Sequence, residues 1–500
     1  MIPGSDLPKA FTDRMKKDLG DESGSFLRSY FDEAKKGLRI NTLKTDLKTS
    51  KIITSGLGSV PWEEQGYYYG GSDTPGRSPL HSAGAYYIQE PSAMAPVAML
   101  DVHPGMCVLD LCAAPGGKST QIASYLNGKG LLISNEPVSD RATILSRNIE
   151  RMGIKNAVVI SHDPDFLCGR FAASFDRILV DAPCSGEGMF RKEPRALEEW
   201  SLENVSMCAS RQERILDAAA SMLKPGGRLV YSTCTFSKEE NELQIKSFLE
   251  SHPDYHPVDC AIPEGVRSQT VFETKPETAS GSKPGTASPA GIFRIWPQDG
   301  GGEGHFFAVL RRDGELKADS YGYFGAQEPG LSNKQKQGIA PFIEFLSETV
   351  ADGEIRDHLD SPKELFMLGK KLCLRPEGGL IMLSGCRVLR AGLELGEIKK
   401  DRFIPSHAFA LALGPADVLR AAELSADGVM VTHYLNGQTI SAGDLDNEAS
   451  TGSMLTKNDP AAGDDGWILV TVSGISLGWA KASKGILKNH YPKGLRINYQ

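Results

Sequence analysis

The sequence predicts an α/β fold wound around a largely parallel sheet, and three observations predict it. From Met106 onward, short apolar runs alternate with amphipathic stretches. Each run stops at polar, Gly or Pro residues, as buried strands do. The residues with chemistry to offer, Cys112, Glu136, Asp163, Asp181, Cys184 and Cys234, all fall where such a run ends. Strand–helix alternation implies right-handed crossovers and parallel pairing. Ligands bind such sheets outside the carboxyl ends of the strands.

Taken in order, "MCVLDLC" reads as a buried strand that stops in "AAPGGKS", and "KSTQIASYL" as the helix after it. "GLLISNEP" is the second strand, followed by a helix from about Ser139 to Met152. "AVVISHD", "FDRILVDAPC" and "GRLVYSTC" are three further strands. Between the last two, "ASRQERILDAAASML" carries apolar positions at i, i+3 and i+4, which is helical spacing. "FRIWP" and "HFFAVLRR" are expected to close the sheet as an antiparallel edge. Thr274–Gly291, rich in Pro, Ser, Thr and Gly, reads as a flexible loop, and 313–336 as a polar linker. The acidic, Gly-rich stretch 441–465 reads as a surface loop. There is no internal repeat, and the first 95 residues show no clear period.

Five hundred residues suggest about three to four domains. A hydrophobic content of 40% with 24% charged residues is that of a soluble globular protein. The opening "MIPGSDLPKAFTDRMKKDLG" has no apolar core behind a basic start, so a signal peptide is not expected. No apolar run approaches the roughly 20 residues of a membrane helix. The nine cysteines are scattered without a CxxC pair, which fits a reducing cytoplasm rather than a disulfide framework. A net charge of −8 argues against indiscriminate nucleic-acid binding but leaves room for a local basic surface.

"AAPGGKST" invites a P-loop reading, but Cys112 stands where the motif needs its first Gly. The dinucleotide pattern GxGxxG is also absent. A Gly pair between strand and helix still allows close backbone approach, and it places amide donors at a helix N-terminus, which suits a carboxylate. Glu136, ending the second strand, is placed to accept hydrogen bonds from ribose hydroxyls, and Asp163, ending the third, from an adenine amino group. An adenosine ligand with a carboxylate tail and no pyrophosphate is S-adenosylmethionine. Singly, each acid is more simply a solvated strand-end residue; as an ordered set they point to the donor.

Cys184 and Cys234, 234 − 184 = 50 residues apart, admit four readings. A disulfide is disfavoured by the compartment. Zinc needs three or four ligands, and the nearby His252, His256 and Cys260 are interrupted by Pro253 and Pro257. Packing is the usual role of a free cysteine and suffices for Cys107, Cys168, Cys208, Cys373 and Cys386. It fits poorly for Cys184 in "DAPCSG" or Cys234 between two threonines. Covalent catalysis accounts for both, given a methyl donor: a thiolate adding to carbon 6 of cytosine makes carbon 5 nucleophilic. A carboxyl such as Asp181 can supply a proton at ring nitrogen 3.

"LDLCAAPGGKSTQIA", "VDAPCSGEGMFRK" and "VYSTCTFSKEENE" resemble the signature motifs of the Nop/Sun RNA cytosine-5 methyltransferases. "RINTLK" and "GAYYIQEPSAM" resemble the family's upstream elements, so the likeness covers roughly residues 1–312. The resemblance implies a Rossmann-like S-adenosylmethionine-dependent core, with Cys234 as nucleophile, Cys184 assisting release of the adduct and Asp181 contacting the cytosine ring. It also implies donor binding by Cys112, Ala113, Ala114, Pro115, Gly116, Gly117, Lys118, Glu136, Arg141, Asp163 and Asp181, with no metal.

Towards the C-terminus, "GCRVLRAGLELGEIKKDRFIPSHAFAL" and "GWILVTVSGISLGWAKASKGILKNHYPKGLRIN" resemble the two appended domains of RsmF-type 16S ribosomal RNA methyltransferases, the last being PUA-like. The organisation expected is an N-terminal α+β RNA-binding domain (1–95), the catalytic domain (96–312), the linker (313–336), a first C-terminal domain (337–430) and the PUA-like domain (431–500). The implied substrate is a cytosine of the decoding region of 16S ribosomal RNA, in the 30S subunit, for a cytoplasmic monomer. Lys35–Lys51 holds six Lys/Arg and one acid, and 467–500 holds five and none, with Trp479 and Tyr491 among them; both read as RNA surfaces. Phe190, Arg191 and Lys192 are expected to hold the target strand. Two other readings stand beside this one: a transfer-RNA cytosine-5 methyltransferase, and a ribosome-assembly factor that binds RNA without methylating it.

Overall fold

The computed structural model describes residues 7–71, 73–258, 260–261, 263–268, 291–316, 329–376, 379–381, 383–447, 452–457 and 465–496. Almost all of the Pro/Ser/Thr/Gly-rich loop, the middle of the linker and part of the acidic stretch lie outside these residues. Among the described residues, no helix is long and apolar enough to cross a membrane.

The N-terminal region is α+β. Helices Lys9–Leu19 and Ser23–Ser29 precede a four-stranded antiparallel sheet of β1 (Lys36–Ile40), β2 (Gly58–Val60), β3 (Glu63–Tyr69) and β4 (Tyr86–Ile88), in the order β2-β3-β1-β4. Its period was hard to read because β2 and β4 have only three residues each.

The core sheet follows, with β5 (Cys107–Asp110), β6 (Leu131–Asn135), β7 (Ala157–Ile160), β8 (Phe175–Asp181) and β9 (Leu223–Thr233) all parallel. Their order is β9-β8-β5-β6-β7, so the chain reverses its direction of winding between β5 and β8. Both faces are covered, which is why the strands read as unbroken apolar runs. Successive residues alternate between two cores: Cys107 and Leu109 pack on one side and Val108 on the other, as do Leu131 and Ile133 against Leu132. Each such side chain contributes about 1.5–3 kcal/mol by leaving water. The helix predicted between β8 and β9 is Leu202–Met222, capped by Ser201 Oγ, which accepts from Asn204 N at 3.0 Å. It buries Val205, Cys208, Gln212, Ile215, Leu216, Ala219 and Met222 on one face.

β10 (Tyr255–Pro257), β11 (Arg267–Ser268), β12 (Ile292–Ile295) and β13 (His305–Arg312) form the expected antiparallel edge, with β13 against β9. β14 (Leu365–Leu368) and β15 (Lys371–Leu374) open the next sheet as a hairpin. The chain then crosses back: β16 (Val388–Ala391) pairs antiparallel with β7 and closes the far edge of the core sheet. β17 (Leu393–Lys399) and β18 (Arg402–Pro405) return to the hairpin. A segment read as part of a separate domain thus protects an exposed edge of the catalytic sheet.

The last sheet comprises β19 (Arg420–Leu424), β20 (Ile440–Ser441), β21 (Met454–Lys457), β22 (Gly466–Val472), β23 (Ile475–Ser483) and β24 (Ile486–Asn489). It therefore starts before residue 431. The stretch read as an acidic surface loop includes helix Ala442–Asn447 and β21. Likewise the linker runs into helix Asn333–Gly338, started by a capping box of Ser332 and Gln335. Leu38, Ile40 and Tyr86 of the N-terminal sheet share one core with Val470, Leu477 and Tyr491, so the two ends of the chain pack together.

Candidate active site

Parallel register brings the two thiols together. Asp181, the last residue of β8, lies opposite Ser232 of β9, and Ala182 N donates to Ser232 O at 2.9 Å. The segments leaving both strands therefore emerge side by side, and Cys184 Sγ sits 3.4 Å from Cys234 Sγ. All nine cysteines are free. The loop after Cys184 returns to this point, where Gly188 N donates to Cys234 O at 2.8 Å. A β-carbon at Gly188 would meet that same oxygen at 2.8 Å, so only glycine allows the approach. A hydrogen bond with Cys234, then burial, pushes the Cys184 thiol well up.

Asp181 is held on both oxygens. Lys118 Nζ lies 2.8 Å from Oδ2, Ser232 Oγ donates to Oδ1 at 2.8 Å, and His305 Nε2 is 3.7 Å from Oδ1. Burial works to raise its pKa, but the Lys118 ammonium and His305 hold the carboxyl well below the ordinary range. His305 itself is lowered, by burial first and Lys118 second.

One cavity of about 740 Å³ is lined by Cys112, Ala114, Glu136, Arg141, Asp163, Asp181, Cys184 and Cys234. Eight of the sequence-predicted residues thus meet in one place. Glu136 is buried and accepts from Val138 N at 3.0 Å, while Arg141 lies 3.4 Å from its other oxygen and donates to Ala114 O at 2.9 Å. Asp163 lies on the rim, capping helix Pro164–Cys168 through Asp165 N at 3.0 Å. Ala113, Pro115, Gly116, Gly117 and Lys118 are not among the residues lining the cavity. Gly116 has φ 116° and starts helix Gly117–Leu126. The space these glycines leave is filled by the protein itself: a β-carbon would meet Leu145 Cδ1 at 3.1 Å from Gly116, and Tyr87 Cε1 at 3.2 Å from Gly117. Lys118 is buried and reaches Asp181.

Three expectations about RNA contact are corrected. Phe190 is buried among Phe11, Tyr30 and Trp200, and Arg191 pairs with Glu303 at 2.6 Å and donates to Ser29 O. Both anchor the N-terminal helices rather than face solvent. Trp479 and Tyr491 are also buried, and Trp479 Nε1 donates to Ser406 O at 3.0 Å. The five cations beside them, Lys481, Lys484, Lys488, Lys493 and Arg496, are exposed. At the other end, Arg39 is buried and donates to Thr120 Oγ1 at 2.8 Å, bracing the helix of the "AAPGGKST" loop.

Sequence reasoning missed the residues behind the thiols. Glu240 is fully buried, and burial lifts its carboxyl to about 7 while Ser185 and Gln212 donate to it. Glu187, also fully buried, accepts from Arg14 Nη2 at 2.5 Å, Trp200 Nε1 at 2.9 Å and Phe236 N at 2.9 Å. Arg195, Arg211 and Arg214 complete the cavity wall. The one available signal was the acidic run "EENE" at 239–242, shortly after Cys234, too polar to be a core segment unless its carboxylates have partners.

Four family profiles match the chain in succession: the N-terminal domain of 16S rRNA methyltransferase RsmF over 7–91, 16S rRNA methyltransferase RsmB/F over 97–311, the RsmF first C-terminal domain over 344–413, and the RsmF PUA domain over 422–497. Ribosomal RNA small subunit methyltransferase F of Salmonella agona is 31% identical over 510 residues, covering 98% of this chain and 96% of the relative. That of Escherichia fergusonii is 30% identical with the same coverage. Among solved structures, a methyltransferase homologue from Pyrococcus horikoshii is 26% identical, covers 62% of this chain and 96% of its own, and superposes with a TM-score of 0.50. With a Rossmann-like core, an RsmF N-terminal domain and a PUA domain in one chain, this protein belongs to the RsmF family of 16S ribosomal RNA methyltransferases.

Proposed function

We propose that this chain methylates carbon 5 of a cytosine in small-subunit ribosomal RNA through a covalent cysteine–cytosine adduct, in the decoding region of the 30S particle. The observation that carries this reading is the pair of thiols 3.4 Å apart in the same cavity as Asp181 and Glu136. A cavity of about 740 Å³ has room for a nucleoside-sized donor as well as a base. S-adenosylmethionine, when bound, supplies an electrophilic methyl group. Glu136 and Asp163 suit its ribose and adenine, Arg141 braces Glu136, and Cys112 and Ala114, the members of 112–118 that line the cavity, suit its methionine end.

The chain's own residues do the rest. Cys234, as thiolate, adds to carbon 6 and makes carbon 5 nucleophilic. Asp181, ionised against Lys118, is no proton source as the sequence had suggested; it contacts the ring and accepts a hydrogen bond from nitrogen 3 once that atom takes a proton from solvent. Once carbon 5 carries the methyl, its proton leaves to a base, the carbon 5–carbon 6 double bond reforms and the Cys234 sulfur is expelled. Cys184, kept protonated by its contact with Cys234 and by burial, is placed to give its proton to the departing Cys234 sulfur. The base must leave its stack to reach this cavity. The exposed C-terminal cations suit the flanking phosphates. The reading includes a cytoplasmic monomer and domain boundaries at about 95 and 312, with the linker ending before helix Asn333–Gly338 and the last domain starting at β19.

Purified protein incubated with donor and either 30S particles, free 16S RNA or bulk transfer RNA tests the assignment. The expected product is 5-methylcytosine in the 16S RNA of 30S particles. Methylation confined to transfer RNA, or none at all, would contradict it.

A further inference from the structure

The two thiols sit on different loops, and a single buried carboxylate ties those loops together. Glu240 Oε2 accepts from Ser185 N at 3.0 Å and from Gln212 Nε2 at 2.9 Å, and its Oε1 accepts from Ser185 Oγ at 2.5 Å. Ser185 directly follows Cys184. Its Oγ also lies 2.8 Å from Thr235 Oγ1, and Thr235 directly follows Cys234. Gln212 Nε2 donates in addition to Pro183 O at 3.0 Å, on the other side of Cys184. The backbone of Glu240 is fixed in turn, since Tyr231 OH donates to its carbonyl at 2.6 Å. Apart from the Tyr231 anchor, every arm of this network ends on a residue flanking a thiol, and none ends on a thiol itself.

We propose that Glu240 is the positioning residue that holds Cys184 and Cys234 at reacting distance, acting through Ser185, Thr235 and Gln212. The claim extends the two-thiol reading above and rests on it for its catalytic meaning. The carboxylate has no cation beside it among the described residues; it is surrounded by neutral donors and by Glu187, Cys184, Cys208 and Tyr231. A glutamine keeps an acceptor for Ser185 N and Gln212, whereas an alanine leaves both buried donors without one.

The test oxidises the full-length protein with diamide, which is reduced to the hydrazine as two thiols become a disulfide, and follows the Cys184–Cys234 cross-link by peptide mass spectrometry. Glu240→Ala is expected to slow cross-linking by about tenfold, and Glu240→Gln to stay within about threefold of the parent protein. Methyl transfer to RNA is expected to fall by about a hundredfold in kcat for Glu240→Ala, with the KM for RNA and donor affinity little changed. Ser185→Ala, which removes one arm only, gives an intermediate rate and serves if Glu240→Ala does not fold. Cross-linking of Glu240→Ala at the parent rate would overturn the proposal, as would a parent protein that forms no cross-link. Slowed cross-linking with unchanged methyl transfer would uphold the brace and sink the two-thiol mechanism instead.

Discussion

Cys184 Sγ lies 3.4 Å from Cys234 Sγ, and neither is in a disulfide. An S–S bond is about 2.05 Å, so the pair are separate thiols in contact with no room for water between them. The contact follows from pairing Asp181 with Ser232 across two parallel strands. It places a second thiol against the first, as the proposed adduct chemistry requires.

Asp181→Asn keeps the size of the side chain and removes its charge. Methyl transfer is expected to slow on the order of 10²-fold, with donor affinity largely retained. Its carboxyl is depressed in the folded protein, so its stabilising contribution is full above about pH 5, begins to decline near the unfolded value of about 3.9 and is lost only as pH falls through the lower folded value. The Tm difference between the parent and Asp181→Asn should therefore shrink in acid. A difference that does not shrink at all between pH 5 and pH 2 would show that Lys118 and His305 do not stabilise the charged form.

Glu240 works in the opposite sense. Burial lifts its folded pKa to about 7, above about 4.3 in an unfolded chain, so the folded protein keeps a proton that the unfolded chain releases. Stability falls as pH rises through that window and levels off above it. Asp110, lifted by burial to about 7, adds to the same slope. The Tm of Glu240→Gln relative to the parent should rise between pH 5 and pH 8; a constant offset would contradict the assignment.

Glu187→Ala leaves Arg14, Trp200 and the Phe236 amide facing a void. Removing one partner from a buried ion pair costs about 3–5 kcal/mol. A large drop in Tm is expected, with the N-terminal helices the first to lose hydrogen-exchange protection. An unchanged Tm would mean that those helices dock through their aromatic residues alone.

The organisation of the core was legible because its strands are covered on both faces and read as apolar runs, while their chemically active residues stop at the ends. Cys184 and Cys234 could be noticed for the same reason. Glu240, Glu187 and His305 could not, because their roles depend on burial by residues distant in the chain. Trp479 and Tyr491 were misread because a buried aromatic in a cationic stretch looks like a stacking platform. β16 was illegible as part of the core sheet, since its partner β7 lies more than two hundred residues earlier.

Burial of Trp479 also decides how the C-terminal surface should be probed. Deleting it would remove β23 and collapse a core, so point substitutions are the sound choice. Lys481→Ala, Lys484→Ala and Lys488→Ala together should weaken RNA binding and lower the salt slope by roughly 2, with kcat at saturating RNA unchanged. An unaltered slope would make these cations a solvated face.

The most direct measurement uses Cys184→Ala and Cys234→Ala, each incubated with donor and 30S particles and run on a denaturing gel. The expected result is an RNA-linked protein band for Cys184→Ala, and neither adduct nor product for Cys234→Ala. If both variants methylate RNA, the thiols are packing residues and covalent catalysis by this pair is contradicted.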